Sequence, residues 1–531
     1  MPICMSYFIR TLLVILTLFA SREASAHIGS PNIFFEGKAA GTPVRIVIKP
    51  PEVIPGLAEI TIRTEGTAIQ KVTVLPVYWE TGKKGSPTPD TAKLVRGETN
   101  LYTAALWFMK QGAYSVHVGI ETAKEKAEVV VPVNSLASVR KDMPTALGVV
   151  LACLGVLLFA SFISIIGAAA TESTQAPEET LTPALRTKRT AWTIGAAVFL
   201  VTAVAGGKSW WAAEDRAYRT KRISQAWPAK AAIAVSNDVP LLNLSFSLPP
   251  DQGREWAPLI LDHGKWSHWF LVRESSADVF VHLHPYKLGD RDFTAVLPPV
   301  PAGNYQLYAD ISLENGLYRT LQTKVKIPEA PAAWSKRWTR AMPNSKDPLC
   351  GVAMLATNRS EGRRDLDADD TWHVEAEKPA PTVNEAVLMN GLKLVWNRPK
   401  SIRVNEDFSL HFKLLDKEGK PAKLEPYLGM SGHMVVRHED GNVFVHVHPV
   451  GNISMASQAI LTARSEQPKA KLYELLDNAS NYAPPTPVTE AESEVSFPYA
   501  FPRSGTYRVW VQCKYQGQIM TASYLVPVTG L

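Results

Sequence analysis

The chain carries one strand–turn–strand pattern twice, and its strict two-residue alternation leaves the backbone little choice. Residues 268–285 read His-Trp-Phe-Leu-Val-Arg-Glu-Ser-Ser-Ala-Asp-Val-Phe-Val-His-Leu-His-Pro, and residues 433–449 read His-Met-Val-Val-Arg-His-Glu-Asp-Gly-Asn-Val-Phe-Val-His-Val-His-Pro. Successive side chains of a strand point to opposite faces. Phe280, His282 and His284 therefore share one face, and Val279, Val281 and Leu283 take the other. In the second copy Phe444, His446 and His448 are set against Val443, Val445 and Val447. A third histidine, His268 or His433, opens the first strand of each hairpin.

The rest of the chain divides by the same kind of signal. Alternating apolar segments bounded by turns predict a mainly β protein with three immunoglobulin-like β-sandwich domains at 27–135, 229–328 and 391–531. Each has a late strand entered through Gly-x-Tyr: Gly112-Ala-Tyr114, Gly303-Asn-Tyr305 and Gly505-Thr-Tyr507. That step resembles the tyrosine corner of such sandwiches, in which the hydroxyl braces a loop. Residues 329–390 lack periodicity and read as a linker, and the acidic run ending at Asp370 reads as solvated loop because it lacks the spacing of a calcium loop.

Two long apolar segments limit the topology. Residues 146–170 contain no charge, and 191–211 end in Trp210 and Trp211, with Trp192 near their start. Both are expected to be transmembrane helices, with aromatic rings at the membrane interface. The loop at 171–190 carries Arg186, Lys188 and Arg189, which marks it as cytoplasmic, and 212–228 follows as a juxtamembrane helix. Residues 1–26 have the form of a cleaved signal peptide ending Ala24-Ser25-Ala26. The large domains would then face the periplasm from the inner membrane. In that compartment Cys350 and Cys513 are able to pair, although spacing does not decide it.

The histidine face is the candidate site. Imidazole suits copper and zinc, and thioether adds a preference for Cu(I). The candidate metal ligands are His433, His446, His448, Met430 and Met455 in the second copy, and His268, His282 and His284 in the first, with Asp262 and His263 close by in sequence. Copper is the first choice because of the two methionines, and zinc is the alternative. The competing reading is that these histidines only brace the sandwiches internally. His117 reads as sandwich filling, His27 as a weaker terminal chelate, and His373, His411 and His438 as ordinary edge or surface residues.

Lys and Arg are scattered through a chain with formal net charge +6, so no nucleic-acid partner is expected. No nucleophile elbow, phosphate-binding loop or His-Glu-x-x-His helix is present, so the protein is not read as an enzyme. A metal-dependent enzyme would look much the same at this level and stays as an alternative.

Leu424-Glu-Pro-Tyr-Leu-Gly-Met-Ser-Gly-His433, Val443-Phe-Val-His-Val-His-Pro449 and Gly505-Thr-Tyr-Arg-Val-Trp510 together resemble a module of largely uncharacterised bacterial envelope proteins. In the first copy Leu261-Asp-His-Gly264 replaces the Glu-Pro-Tyr element. More loosely, the modules are similar to YtkA-like and periplasmic copper-resistance immunoglobulin-like domains. That resemblance implies copper handling outside the inner membrane. A structural or adaptor role, with another envelope protein as partner, is the rival.

Overall fold

The computed structural model describes residues 32–65, 69–172, 180–236, 238–250, 255–332, 366–375, 380–467 and 493–530. The expected signal peptide, His27 and Cys350 lie outside the described residues. Cys513 is fully buried in an apolar cluster, which pushes its thiol up to about 12.

Among the described residues the chain is mainly β, with six sheets built of antiparallel pairs. Three large apolar clusters form where the inward faces of the sheets meet. One draws on Ile46, Ile60, Val74, Val116 and Val131 of the N-terminal unit. A second draws on Leu244, Phe293, Trp269, Val281 and Leu307 of the middle unit. The third draws on Trp396, Phe412, Phe497, Val436 and Val509 of the C-terminal unit. Each cluster follows from alternation: in Thr42–Lys49, for example, every second residue is buried.

The two copies fold alike. In the middle unit the His268–Arg273 strand lies between Val279–Leu283 and Gly303–Leu313, with Tyr318–Ile327 beyond. In the C-terminal unit His433–His438 lies between Phe444–Val447 and Gly505–Tyr515, with Gln518–Val528 beyond. The registers correspond. Phe270 pairs His282 as Val435 pairs His446, and His268 pairs Asp310 as His433 pairs Gln512. The tyrosine reading also holds: Tyr305 Oη donates to the Pro301 carbonyl at 2.6 Å and Tyr507 Oη to the Arg503 carbonyl at 3.0 Å. In the N-terminal unit Tyr114 Oη instead accepts from the Lys110 amide at 3.2 Å.

The expected linker contains strands among its described residues, which differs from the sequence reading. Thr371–Val374 adds an edge strand beside Val279–Leu283, and Glu385–Val387 pairs with Lys393–Asn397. Strands of three or four residues are too short to show a period.

Two helices are long and apolar enough to cross a membrane, Thr145–Thr171 and Pro183–Lys221, and neither apolar window is buried by the rest of the chain. The second starts earlier than expected. Thr182 caps it, its side chain accepting from the Leu185 amide, and Pro183 supplies the preset first turn. The basic cluster and the segment to Lys221 thus belong to one continuous helix.

The helix Met455–Glu466 ties the units together. Ile460 and Leu461 enter the middle cluster, Gln458 donates to the Val130 carbonyl at 2.7 Å, and Glu466 meets Lys83 at 2.7 Å. The N-terminal unit also docks through its first strand: Phe34 enters the C-terminal cluster and the Glu36 amide donates to the Val450 carbonyl at 2.8 Å. Gly451 permits that approach, with φ +127 and a position where any added Cβ would collide with the Phe34 carbonyl oxygen. Gly451→Ala is expected to lower the thermal midpoint of the detergent-solubilised chain by the equivalent of about 1–3 kcal/mol. An unchanged midpoint would show that the strand does not dock there.

Candidate metal centre

The histidine-bearing faces of the two copies do not point to solvent. They face each other across the junction of the middle and C-terminal units, and the contacts come in reciprocal pairs. Phe280 of the first copy stacks on Trp510 of the second, with centroids 4.7 Å apart. The corresponding Phe444 of the second stacks on Tyr308 of the first at 3.8 Å. His282 Nδ1 meets Gln512 Oε1 at 2.9 Å, and the corresponding His446 Nδ1 lies 3.4 Å from Asp310 Oδ2. Such residue-for-residue exchange is the signature of a two-fold interface, here formed within one chain. Alternation then buries both valine faces in their own cores.

This packing gathers His268, His282, His284, His433, His446 and His448 into one buried cluster. His263 joins it, with its ring 4.9 Å from His448 and 5.5 Å from His433. It sits in a tight turn closed by Asp262 and Lys265, where His263 and Gly264 have φ +52 and +77. The same turn recurs as Tyr427-Leu428-Gly429-Met430, so Leu428 stands in the second copy where His263 stands in the first. Three groups among the described residues have ligand atoms all within 4.8 Å of one another: His268 with His282 and His284, His263 with His433 and His448, and His284 with Asp367 and Asp370.

The hydrogen bonds show which nitrogens are free. Asp370 Oδ1 accepts from His284 Nδ1 at 3.0 Å, and the Ile453 carbonyl accepts from His448 Nδ1 at 3.1 Å. Their Nε2 atoms, with those of His263 and His446, are buried without a hydrogen-bond partner, that of His263 lying 3.9 Å from Asp262 Oδ1. His433 has no partner on either nitrogen. His268 Nε2 donates to the Asp262 carbonyl at 3.3 Å, and His282 Nδ1 to Gln512. In those tautomers the remaining His268 Nδ1 and His282 Nε2 carry lone pairs that face each other at 3.2 Å. Bare lone pairs repel, but two nitrogens on one tetrahedral ion, each about 2 Å from it, lie about 3.3 Å apart.

Bracing histidines in this chain look different. His117 joins Ser115 Oγ at 3.0 Å and Glu128 Oε1 at 2.6 Å, so both its nitrogens are occupied. His438, expected at an edge or surface, is buried and likewise uses both, toward the Ser504 carbonyl and Arg503.

The eight expected ligands fare unequally. All six histidines meet at the junction, whereas the expectation placed one site on each hairpin. Met430 is buried in the turn with Tyr427, whose ring is 5.0 Å from that of His433. Met455 begins the connecting helix and packs against the N-terminal cluster. The acidic run, read as solvated, supplies Asp370 to His284, while Asp367 and Asp369 pair with Lys265 at 2.5 and 3.0 Å. His263 entered the sequence reading only as a neighbour. A histidine in a turn five residues before His268 was the one signal for it.

Burial, then the neighbouring imidazoles, hold His268, His284, His433 and His448 well below the ordinary value, and His282 likewise. Burial raises the Asp370 carboxyl, with Asp367 adding to it. Those five imidazoles are therefore held toward the neutral form, the one that binds metal.

Comparison with known proteins adds little to this geometry. A domain family described as "Domain of unknown function (DUF8832)" matches residues 386–530. No curated protein matches the chain. Among solved structures, Salmonella alpha-2-macroglobulin is 9% identical, with TM-score 0.17, over 96% of this chain and 24% of that one. The fibronectin(III)-like modules of Clostridium thermocellum CbhA are 9% identical, with TM-score 0.13, over 57% of this chain and 95% of that one. The chain spans about a quarter of the macroglobulin it matches.

The depressed imidazoles set a pH dependence. Below 6.5 the unfolded chain protonates these five groups while the folded chain does not, so metal-free stability falls with pH. Asp370 acts in the opposite sense: its contribution is present below 3.8 and is lost as pH rises. It is one group against six, since burial lowers His263 as well. The metal-free thermal midpoint is expected to be level above pH 7 and to drop between pH 6.5 and 5, by up to about 1.4 kcal/mol per histidine per unit. A midpoint constant over that range would refute a neutral cluster.

Proposed function

We propose that this is a membrane-anchored, periplasmic metal-binding protein of three immunoglobulin-like sandwiches, whose histidine cluster holds a transition metal, most favourably copper. One observation carries the reading: buried imidazoles fixed through one nitrogen present bare second nitrogens to a common space. A buried polar atom without a partner costs about 1–3 kcal/mol, and a metal ion would relieve several at once. Asp370 on His284 would act as the orienting carboxylate common behind metal-bound histidine. Copper is favoured on new grounds. With Met455 packed elsewhere the donors are imidazoles, and among divalent ions such nitrogen sites bind copper most tightly. The protein would hold copper for resistance, delivery or cofactor assembly, with the two long apolar helices as the anchor in the inner membrane.

The test uses the full chain in detergent, stripped by a chelator and offered Cu(I), Cu(II) or Zn(II) separately. Metal retained after desalting is expected, with copper held most tightly. A folded protein that retains none would overturn the proposal. Asp370→Asn, which keeps shape and removes charge, is expected to weaken binding by about 10–100-fold. Unchanged affinity in that variant would remove the orienting role from Asp370.

A further inference from the structure

The cluster has more donors than one ion can use. A tetrahedral ion takes four nitrogens. Each of seven imidazoles here presents a nitrogen that is buried and bare or, for His268 and His282, turned toward the other across 3.2 Å. One ion would leave at least three of them unsatisfied in an apolar junction. The two all-histidine groups within ligand reach share no member, since one is His268, His282 and His284 and the other His263, His433 and His448, while a third group joins His284 to Asp367 and Asp370.

Resting on the metal-binding reading, the geometry points to a dinuclear centre of two inequivalent transition-metal ions, one in each group. Repeat correspondence assigns His446. It occupies the place of His282, and its ring is 4.5 Å from His448 and 5.3 Å from His433, so the repeat, rather than ligand-atom distance, adds it to the second group. The second ion then has four imidazoles, one of them contributed by His263 across the junction. The first ion has three, because the second copy carries Leu428 at the position of His263. By the usual distinction the second position is closed and the first keeps a place for a small exogenous ligand. The two are close: His268 lies 5.6 Å from His446 and 5.9 Å from His263, ring to ring.

The experiment counts copper in the full chain loaded with Cu(II) alone, and records its electron paramagnetic resonance. Two ions per chain are expected, with a half-field signal from their dipolar coupling. His284→Gln is expected to keep one ion and lose that signal. His263→Leu, which installs the residue the other repeat uses, should keep the first ion and surrender the second to a chelator that the wild type withstands. One ion in the folded wild type overturns the dinuclear assignment and leaves the metal-binding reading intact. Two ions without coupling, or two retained by His284→Gln, also overturn it. No ion at all removes both.

Discussion

The stacking of Phe280 on Trp510 and of Phe444 on Tyr308 holds the outward faces of two sheets together, and the burial of the junction histidines follows from that closure. On an isolated hairpin these imidazoles would be wetted and ordinary. Pressed between two apolar cores they lose water, and burial then disfavours their charged form. The aromatic pairs sit two residues along the strands from His282 and His446, so the force that closes the junction and the groups it desolvates share one short segment. Phe270 reinforces this, its ring 4.3 Å from His282 and 4.9 Å from His446.

The faces of each hairpin were legible because strand alternation is local. Val281 and Val445 are in their own cores, and His282 and His446 are opposite, as the two-residue period requires. The tyrosine braces were legible for the same reason, since hydroxyl and carbonyl are four residues apart. The meeting of the two copies was not legible. Reciprocal contacts between Gln512 and His282 span 230 residues, and nothing in either hairpin alone says that it faces the other. Asp370 was lost with them, because its partner strand has only four residues. Methionine near histidine in sequence proved a poor guide for Met455, since a helix begins at that residue and turns it toward the N-terminal unit.

Asp262 connects the junction to the rest of the protein. Its carbonyl accepts from His268, while its carboxylate accepts from Ser454 Oγ at 2.8 Å and from the Ala456 amide at 3.1 Å. A carboxylate at a helix N-terminus is favoured by the exposed amides and the helix dipole. The helix it caps packs on the N-terminal unit, whose last strand precedes the first long apolar helix. The residue beside His263 thus also fixes the element that holds three units in register.

Duplication alone explains why histidines recur but not why they are left half-bonded. If the second copy had inherited only internal bracing, each ring would use both nitrogens, as His117 and His438 do elsewhere in the chain. His284 and His448 instead keep one nitrogen anchored, by Asp370 and Ile453, and leave the other bare, while His268 and His282, anchored by Asp262 and Gln512, turn their second nitrogens toward each other. Anchoring sets the tautomer and the ring angle, which bracing does not need and coordination does. His433, with neither nitrogen bonded, is the costliest member of the cluster in the absence of an ion. A fold that has ways to satisfy buried histidines, and uses them elsewhere, leaves these nitrogens bare in an arrangement that could hold a metal ion.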